Sequence, residues 1–169
     1  MLYTRWVMLD KQRDRAVMIS SRYDEDFYAW TQHQATILRS AQCPGELDAQ
    51  NLAEEVEALG KSQRRELRSR LRVLVMHLLK WCYQPEGRID SHSWEDTIRE
   101  QRKEIEDVLE DSPSLRQEVE PYILRDYGYA KDRAVRQTGL RPETFPETCP
   151  WTAERVLDTD FWPEAGMSN

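Results

Sequence analysis

A single apolar stripe constrains this chain more than any other feature. Leu52, Val56, Leu59, Leu67, Leu71, Leu74, Leu78 and Trp81, with Gln63 filling the one gap, recur in eight steps over 29 residues. That is the ~3.6-residue period of an α-helix. Asp48 stands where an N-cap belongs, so the spacing predicts a helix from there to Trp81. Gly60 followed by Ser62 fits a C-cap beside an N-cap, which leaves open one helix, a kinked helix or two collinear ones.

Other segments read the same way. Phe27, Trp30, Gln34, Ile37, Leu38 and Ala41 predict a first helix, stopped by Cys43-Pro44-Gly45. After the Gln84-Pro85-Glu86-Gly87 turn, Ser91 or Ser93 can cap a helix carrying Trp94, Ile98, Gln101, Ile105 and Leu109. Ser112-Pro113 opens a further helix with Leu115, Val119, Tyr122, Ile123, Ala130 and Ala134, expected to kink at Pro121 and to close at Gly139. Phe145, Trp151, Val156, Leu157, Phe161 and Trp162 lie in a proline-punctuated tail, where Thr152 can cap one short helix. No strand pattern stands out. The expectation is an all-α fold: an antiparallel helical bundle of four to five main helices with that tail packed back on it. Residues 1–22 read as an N-terminal extension, with Met18 as an alternative start, residues 23–163 as one helical-bundle domain, and residues 164–169 as a disordered end.

If the two central helices fold back about Glu86, residues whose numbers sum to 172 lie level. Leu78 then meets the height of Trp94, Leu74 that of Ile98, Leu67 that of Ile105 and Gln63 that of Leu109, so the apolar stripes coincide tier by tier. The same sum sets Lys61, Arg65, Arg68 and Arg72 level with Asp111, Asp107, Glu104 and Glu100. At ~100° per residue the two charge stripes lie about 130° from their core stripes in opposite senses, which places them level but out of contact. The expectation is two solvated faces. The alternatives are intrachain bridges to another helix, or a basic face of Lys61, Arg64, Arg65, Arg68 and Arg72 that docks an acidic partner or a phosphate backbone.

Composition narrows the class. A net charge of −7 makes nonspecific attraction to nucleic acid or anionic lipid unexpected. With a mean hydropathy of −0.82, no stretch approaches the ~20 apolar residues a membrane helix needs. Cys43, Cys82 and Cys149 are spaced neither as a disulfide framework nor as a metal knuckle, and the expected location is the cytoplasm.

Several words in the chain are more specific than periodicity. Residues 23–32 read Tyr-Asp-Glu-Asp-Phe-Tyr-Ala-Trp-Thr-Gln, residues 51–62 Asn-Leu-Ala-Glu-Glu-Val-Glu-Ala-Leu-Gly-Lys-Ser, and residues 77–81 His-Leu-Leu-Lys-Trp. Thr-Ile-Arg-Glu-Gln-Arg follows at 97–102, Asp-Ser-Pro-Ser-Leu at 111–115, and Phe-Pro-Glu-Thr-Cys-Pro-Trp-Thr at 145–152. In these words, from about residue 23 to 163, the chain resembles a bacterial family known as domain of unknown function 29. The resemblance implies an all-helical fold and transfers no activity to any position.

Candidate chemistry is sparse. Asp26, Glu54 and Glu55 form one candidate polar cluster, and His77 and Glu95 are the other groups suited to a divalent metal. Glu55 and His77 are 22 residues apart, about 33 Å along a straight helix, and cannot share an ion. No nucleophile elbow, phosphate loop or zinc-protease signature occurs, so neither metal nor cofactor is expected. His77 reads as a hydrogen-bonded histidine beside the core. With Lys80, Trp81, Trp94 and Arg99 it borders a candidate binding groove, although Trp30, Trp81 and Trp94 also suit plain packing. The function expected is a non-catalytic cytoplasmic helical module that binds a protein partner, nucleic acid entering only through Lys61 to Arg72. The alternatives are a hydrolase using carboxylates and His77, with nucleic acid as its candidate substrate, and a toxin-neutralising partner protein.

Overall fold

The structure, a computed structural model, describes residues 23–40, 47–87 and 92–164. The expectations for residues 1–22, Cys43-Pro44-Gly45, Ser91 and the last five residues fall outside them. The elements are α1 (Phe27–Ser40), α2 (Ala49–Tyr83), α3 (His92–Asp111), a 3-10 turn (Pro113–Glu118), α4 (Val119–Thr138), a second 3-10 turn (Pro142–Thr144) and α5 (Ala153–Leu157). No strand occurs among the described residues. The chain is an all-α protein with a bundle arrangement.

Contacts divide it into two compact units. One contains the described residues up to Gln63 together with Glu110–Ser114; the other contains Arg64–Leu109 and the chain from Leu115 onward. Gly60 does not interrupt α2. Asp48 caps that helix by accepting from the Asn51 amide at 3.2 Å.

In the second unit, Leu67, Leu71, Leu74 and Leu78 of α2 and Ile98, Ile105 and Leu109 of α3 are sealed from solvent. Two contacts fix the antiparallel register. Arg70 pairs with Glu104 at 3.0 Å, and the Lys80 ammonium sits 4.3 Å from the Trp94 ring centroid. Both pairs sum to 174, two residues from the expected 172. The basic stripe is a correction to the expected solvated face. Arg64 donates to the Tyr122 hydroxyl at 2.9 Å and reaches Glu118 at 3.4 Å. Arg68 grips both carboxylate oxygens of Asp126, and Arg72 donates to the same group at 2.8 Å. The partner number exceeds the arginine number by 54 or 58 throughout, so α2 and α4 run parallel, with α3 as the return. The angular offset that turns these arginines away from α3 is what delivers them to α4.

Pro121 does not kink a helix. The α-helix begins at Val119, which puts Pro121 in the first turn, where no intrahelical partner awaits its missing N–H. Gly139 ends α4 at φ 70°, its amide bonding Val135, and Thr152 caps α5 by accepting from the Arg155 amide; both match the sequence reading.

In the first unit the expected core stripe is wrong by one face. The sealed residues are small: Thr31 and Ala35 on α1, Ala53 and Gly60 on α2. A Cβ added at Gly60 would collide with Thr31 Oγ1, with Gln32 Nε2 3.0 Å away. Close backbone approach therefore replaces large-residue packing at this seam. Asp26 caps α1 by accepting from the Ala29 amide at 2.7 Å, and also accepts from the Ser114 amide at 2.6 Å and the Ser114 hydroxyl at 3.0 Å. The Tyr28 amide donates to Ser112 Oγ at 3.1 Å.

Asp126 is 7% exposed, and the bonds from Arg68, then Arg72, hold its carboxyl down at about 2 against an ordinary 3.8. A depressed folded value stabilises the protein above pH ~4, and that contribution is lost as pH falls through about 2. Asp126→Asn is expected to cost about 2–3 kcal/mol in urea unfolding at pH 7. Its deficit against the wild type should shrink as pH drops from about 4 to 2. Gly60→Ala is expected to lower stability by about 1–2 kcal/mol, with helix propensity offsetting part of the clash. Thr31→Ala in the same chain should recover a measurable share in a double-mutant cycle.

Candidate functional site

The groove expected around His77 is filled from within the chain. Trp162, from the tail, lies 4.7 Å from the Trp81 ring centroid. Arg99 stacks over Trp162 at 5.1 Å and Arg102 at 5.5 Å. Lys80, over Trp94, also donates to Gln137 Oε1 at 3.0 Å, and burial pulls its ammonium down from the ordinary value. Lys80 and Trp94 thus make one cation–aromatic pair, and Trp81, Trp162 and Arg99 a second group. His77 takes a different direction. Its Nδ1 lies 2.9 Å from the Val73 carbonyl, a contact that requires the proton on Nδ1. Burial, with smaller contributions from Lys80 and Arg133, lowers its affinity for a second proton.

Arg102 fastens the tail that closes this cluster. It is 3% exposed and donates to three main-chain carbonyls: Val156 at 3.0 Å, Thr159 at 3.5 Å and Phe161 at 2.8 Å. Burial weakens its hold on the proton, yet guanidinium stays charged at any ordinary pH. The carbonyl dipoles supply the compensation that burial of a charge demands.

The carboxylate candidates do not converge. Asp26 is committed to the α1 cap and Ser114, Glu54 accepts from Gln50 at 3.0 Å, Glu55 is exposed, and Glu95 accepts from Arg99 at 2.8 Å. Among the described residues no three histidine, cysteine, aspartate or glutamate side chains are placed to hold a metal ion. The expected basic face is likewise reduced. Arg64, Arg68 and Arg72 point to α4, while Lys61 pairs with Glu57 at 3.0 Å; Lys61 and Arg65 remain exposed.

What periodicity assigned to the core is instead on the surface. Leu52 is 41% exposed and Leu59 52%, with half-buried Val56 between them. Gln63 continues the same face, since steps of four, three and four residues return to within about 40° of one line on a helix. Asp48 and Glu55 border it, and both are exposed. The signal that could have revealed this is the pair Ala53 and Gly60, seven apart and about 100° round the helix from Leu52. A small-residue seam marks a close neighbour and leaves the bulky flank free.

Arg102→Lys is expected to cost about 2–3 kcal/mol, because one ammonium cannot serve three carbonyls fixed in a fork. Hydrogen exchange should show residues 150–164 losing protection while α2 retains it.

The sequence profile of the family described as Domain of unknown function DUF29 matches residues 22–162. Among solved structures, an alpha-helical protein of unknown function from Rhodospirillum rubrum ATCC 11170 aligns with a TM-score of 0.66 and 27% identity. The alignment covers 82% of this chain and 90% of that one. Among curated proteins none matches.

Proposed function

The chain belongs to the DUF29 family, and from that premise we propose that it is a non-catalytic helical module that binds another protein through the Leu52–Val56–Leu59 face of α2. The observation that carries this is the exposure of Leu52 and Leu59 beside sealed Ala53 and Gly60. Between Leu52 and Gly60 the helix keeps two large apolar side chains in water while burying Ala53 and Gly60. Exposed bulky apolar groups recur through the first unit, at Tyr23, Ile37 and Leu47 as well. A rim of Asp48 and Glu55 around an apolar centre has the anatomy of a protein interface.

Binding is favoured over catalysis because Asp26, Glu54, His77 and Glu95 are engaged in caps, ties and pairs and do not converge with Glu55. Nucleic acid is disfavoured because Asp126 and Glu118 pair with three arginines of the basic face. No helix among the described residues is long and apolar enough to cross a membrane; a cytoplasmic location is part of the proposal.

Leu52→Glu/Leu59→Glu is the test. Both side chains are exposed, so the melting temperature is expected to stay close to wild type. A protein captured from the native extract, purified and titrated back, should bind the variant at least about 10-fold more weakly, as loss of a central apolar anchor does elsewhere. Equal binding to both forms refutes the reading. So does a concentration-dependent rise in mass, abolished by the variant, with no second protein bound, which would make this a self-assembly surface.

A further inference from the structure

The outer face of α4, in the second unit, carries an apolar pair and a glycine that the packing of that helix does not use. Leu124 is 63% exposed, more than any other large apolar side chain among the described residues, and Tyr129 is 48% exposed. Gly128 lies between them round the helix, about 40° from Leu124 and about 100° from Tyr129. A Cβ built there meets nothing within 4 Å, so no neighbour among the described residues requires a glycine in the middle of this 20-residue helix. Glycine at such a position destabilises the helix relative to alanine. What the missing side chain provides is a notch, with bare backbone as its floor and Leu124 and Tyr129 as its walls.

Charge of one sign surrounds the notch. Arg68, Arg72 and Arg125 all contact Asp126, and Arg136 pairs with Asp132 at 3.1 Å. Arg133 has no ion-pair partner among the described residues. From Leu124 to the end of α4, five guanidinium groups therefore share two carboxylates; the next acid along the helix is Glu120, one turn before Leu124. In a chain that carries −7 overall, this is a local excess of positive charge, and it attracts carboxylates.

Independently of the Leu52–Leu59 face, we infer that the outer face of α4 is a second docking surface. Its partner is an acidic amphipathic helix that seats an apolar side chain in the notch at Gly128 and sets carboxylates against Arg133 and Arg136. Such a helix matches both observations at once, the apolar walls with bare backbone between them and the unbalanced arginines around them. Nucleic acid is the poorer occupant. Arg72 and Arg133 already lie over the Tyr129 ring at 4.9 and 5.9 Å, which engages the one exposed aromatic a base would stack on, and Leu124 offers a phosphate backbone nothing. A second copy of this chain presenting the same face would set arginine against arginine.

The surface can be probed with a synthetic helix of leucine, alanine and glutamate, about 15 residues long, with its leucines on one face. Titrated into the full chain and followed by NMR, it is expected to shift the Gly128 and Tyr129 amides and to saturate with a Kd of about 10–100 μM. The same peptide with lysine in place of glutamate should bind at least about 10-fold more weakly. Gly128→Gln separates docking from folding. Glutamine favours the helix and projects into open space, so this variant is expected to melt about 2–4 °C above the wild type. It should nevertheless bind the glutamate peptide at least about 5-fold more weakly, because its side chain fills the notch. Arg133→Gln/Arg136→Gln should weaken the peptide to a similar extent and flatten the salt dependence of its binding. Leu52→Glu/Leu59→Glu should bind the peptide as the wild type does, so the two docking faces stand or fall separately. The inference is overturned by absence of saturable binding, by equal affinity for the lysine peptide, or by unchanged affinity in Gly128→Gln. Tighter binding of a single-stranded oligonucleotide of equal charge, lost in Arg133→Gln/Arg136→Gln, overturns it in favour of a nucleic-acid surface. Self-association abolished by Gly128→Gln overturns it in favour of a second copy.

Discussion

Burial of one column of leucines organises the larger unit. Leu67, Leu71, Leu74 and Leu78 are sealed, and a helix face that apolar must be covered along its whole length to justify ordering the residues around it. α3 covers it as the antiparallel return, in the register fixed by Arg70–Glu104 and Lys80–Trp94. α4 then lies parallel to α2, its partner residues 54 or 58 positions further on. That parallel pairing depends on charge: Asp126, buried on α4, is tolerated because Arg68 and Arg72 supply its hydrogen bonds. The acid and its two arginines hold one position of α4 against one stretch of α2, which apolar packing alone would let slide.

A second buried charge does the same for the tail. Proline-punctuated chain has few hydrogen bonds of its own, and α5 is only five residues long. Arg102 supplies what regular structure cannot, three donors in a fixed fork for the carbonyls of Val156, Thr159 and Phe161. With the tail so held, Trp162 reaches Trp81, Arg99 and Arg102. The expected groove thereby becomes a packed cluster. Its aromatic and cationic residues are the types found at binding sites, and the same chemistry lets them bind one another.

The smaller unit solves its packing by the opposite means. Thr31, Ala35, Ala53 and Gly60 bring two backbones close, and the caps at Asp26 and Asp48 fix where each helix starts. Close approach gains many small contacts per turn but buries little area per residue. It leaves Leu52 and Leu59 on the flank, a cost in solvent that a partner would remove.

Periodicity within α2 needed only neighbours one turn apart, so its helical nature, the Asp48 and Thr152 caps, the Gly139 stop and the antiparallel return were all legible from local residue order. The family words were equally local. Nothing local could say which side of the Leu52–Leu59 stretch a neighbour would cover. That depended on how near α1 could come, which Gly60 on one helix and Thr31 on another set together. The destination of the arginines had the same character. Their stripe faced away from α3 by helical geometry, but the acid that received them lies 54 to 58 residues further on. Sequence sets the period of a face because period is a property of one backbone; the occupant of that face is decided by steric fit and charge neutralisation between segments, and these exist only once the chain has folded.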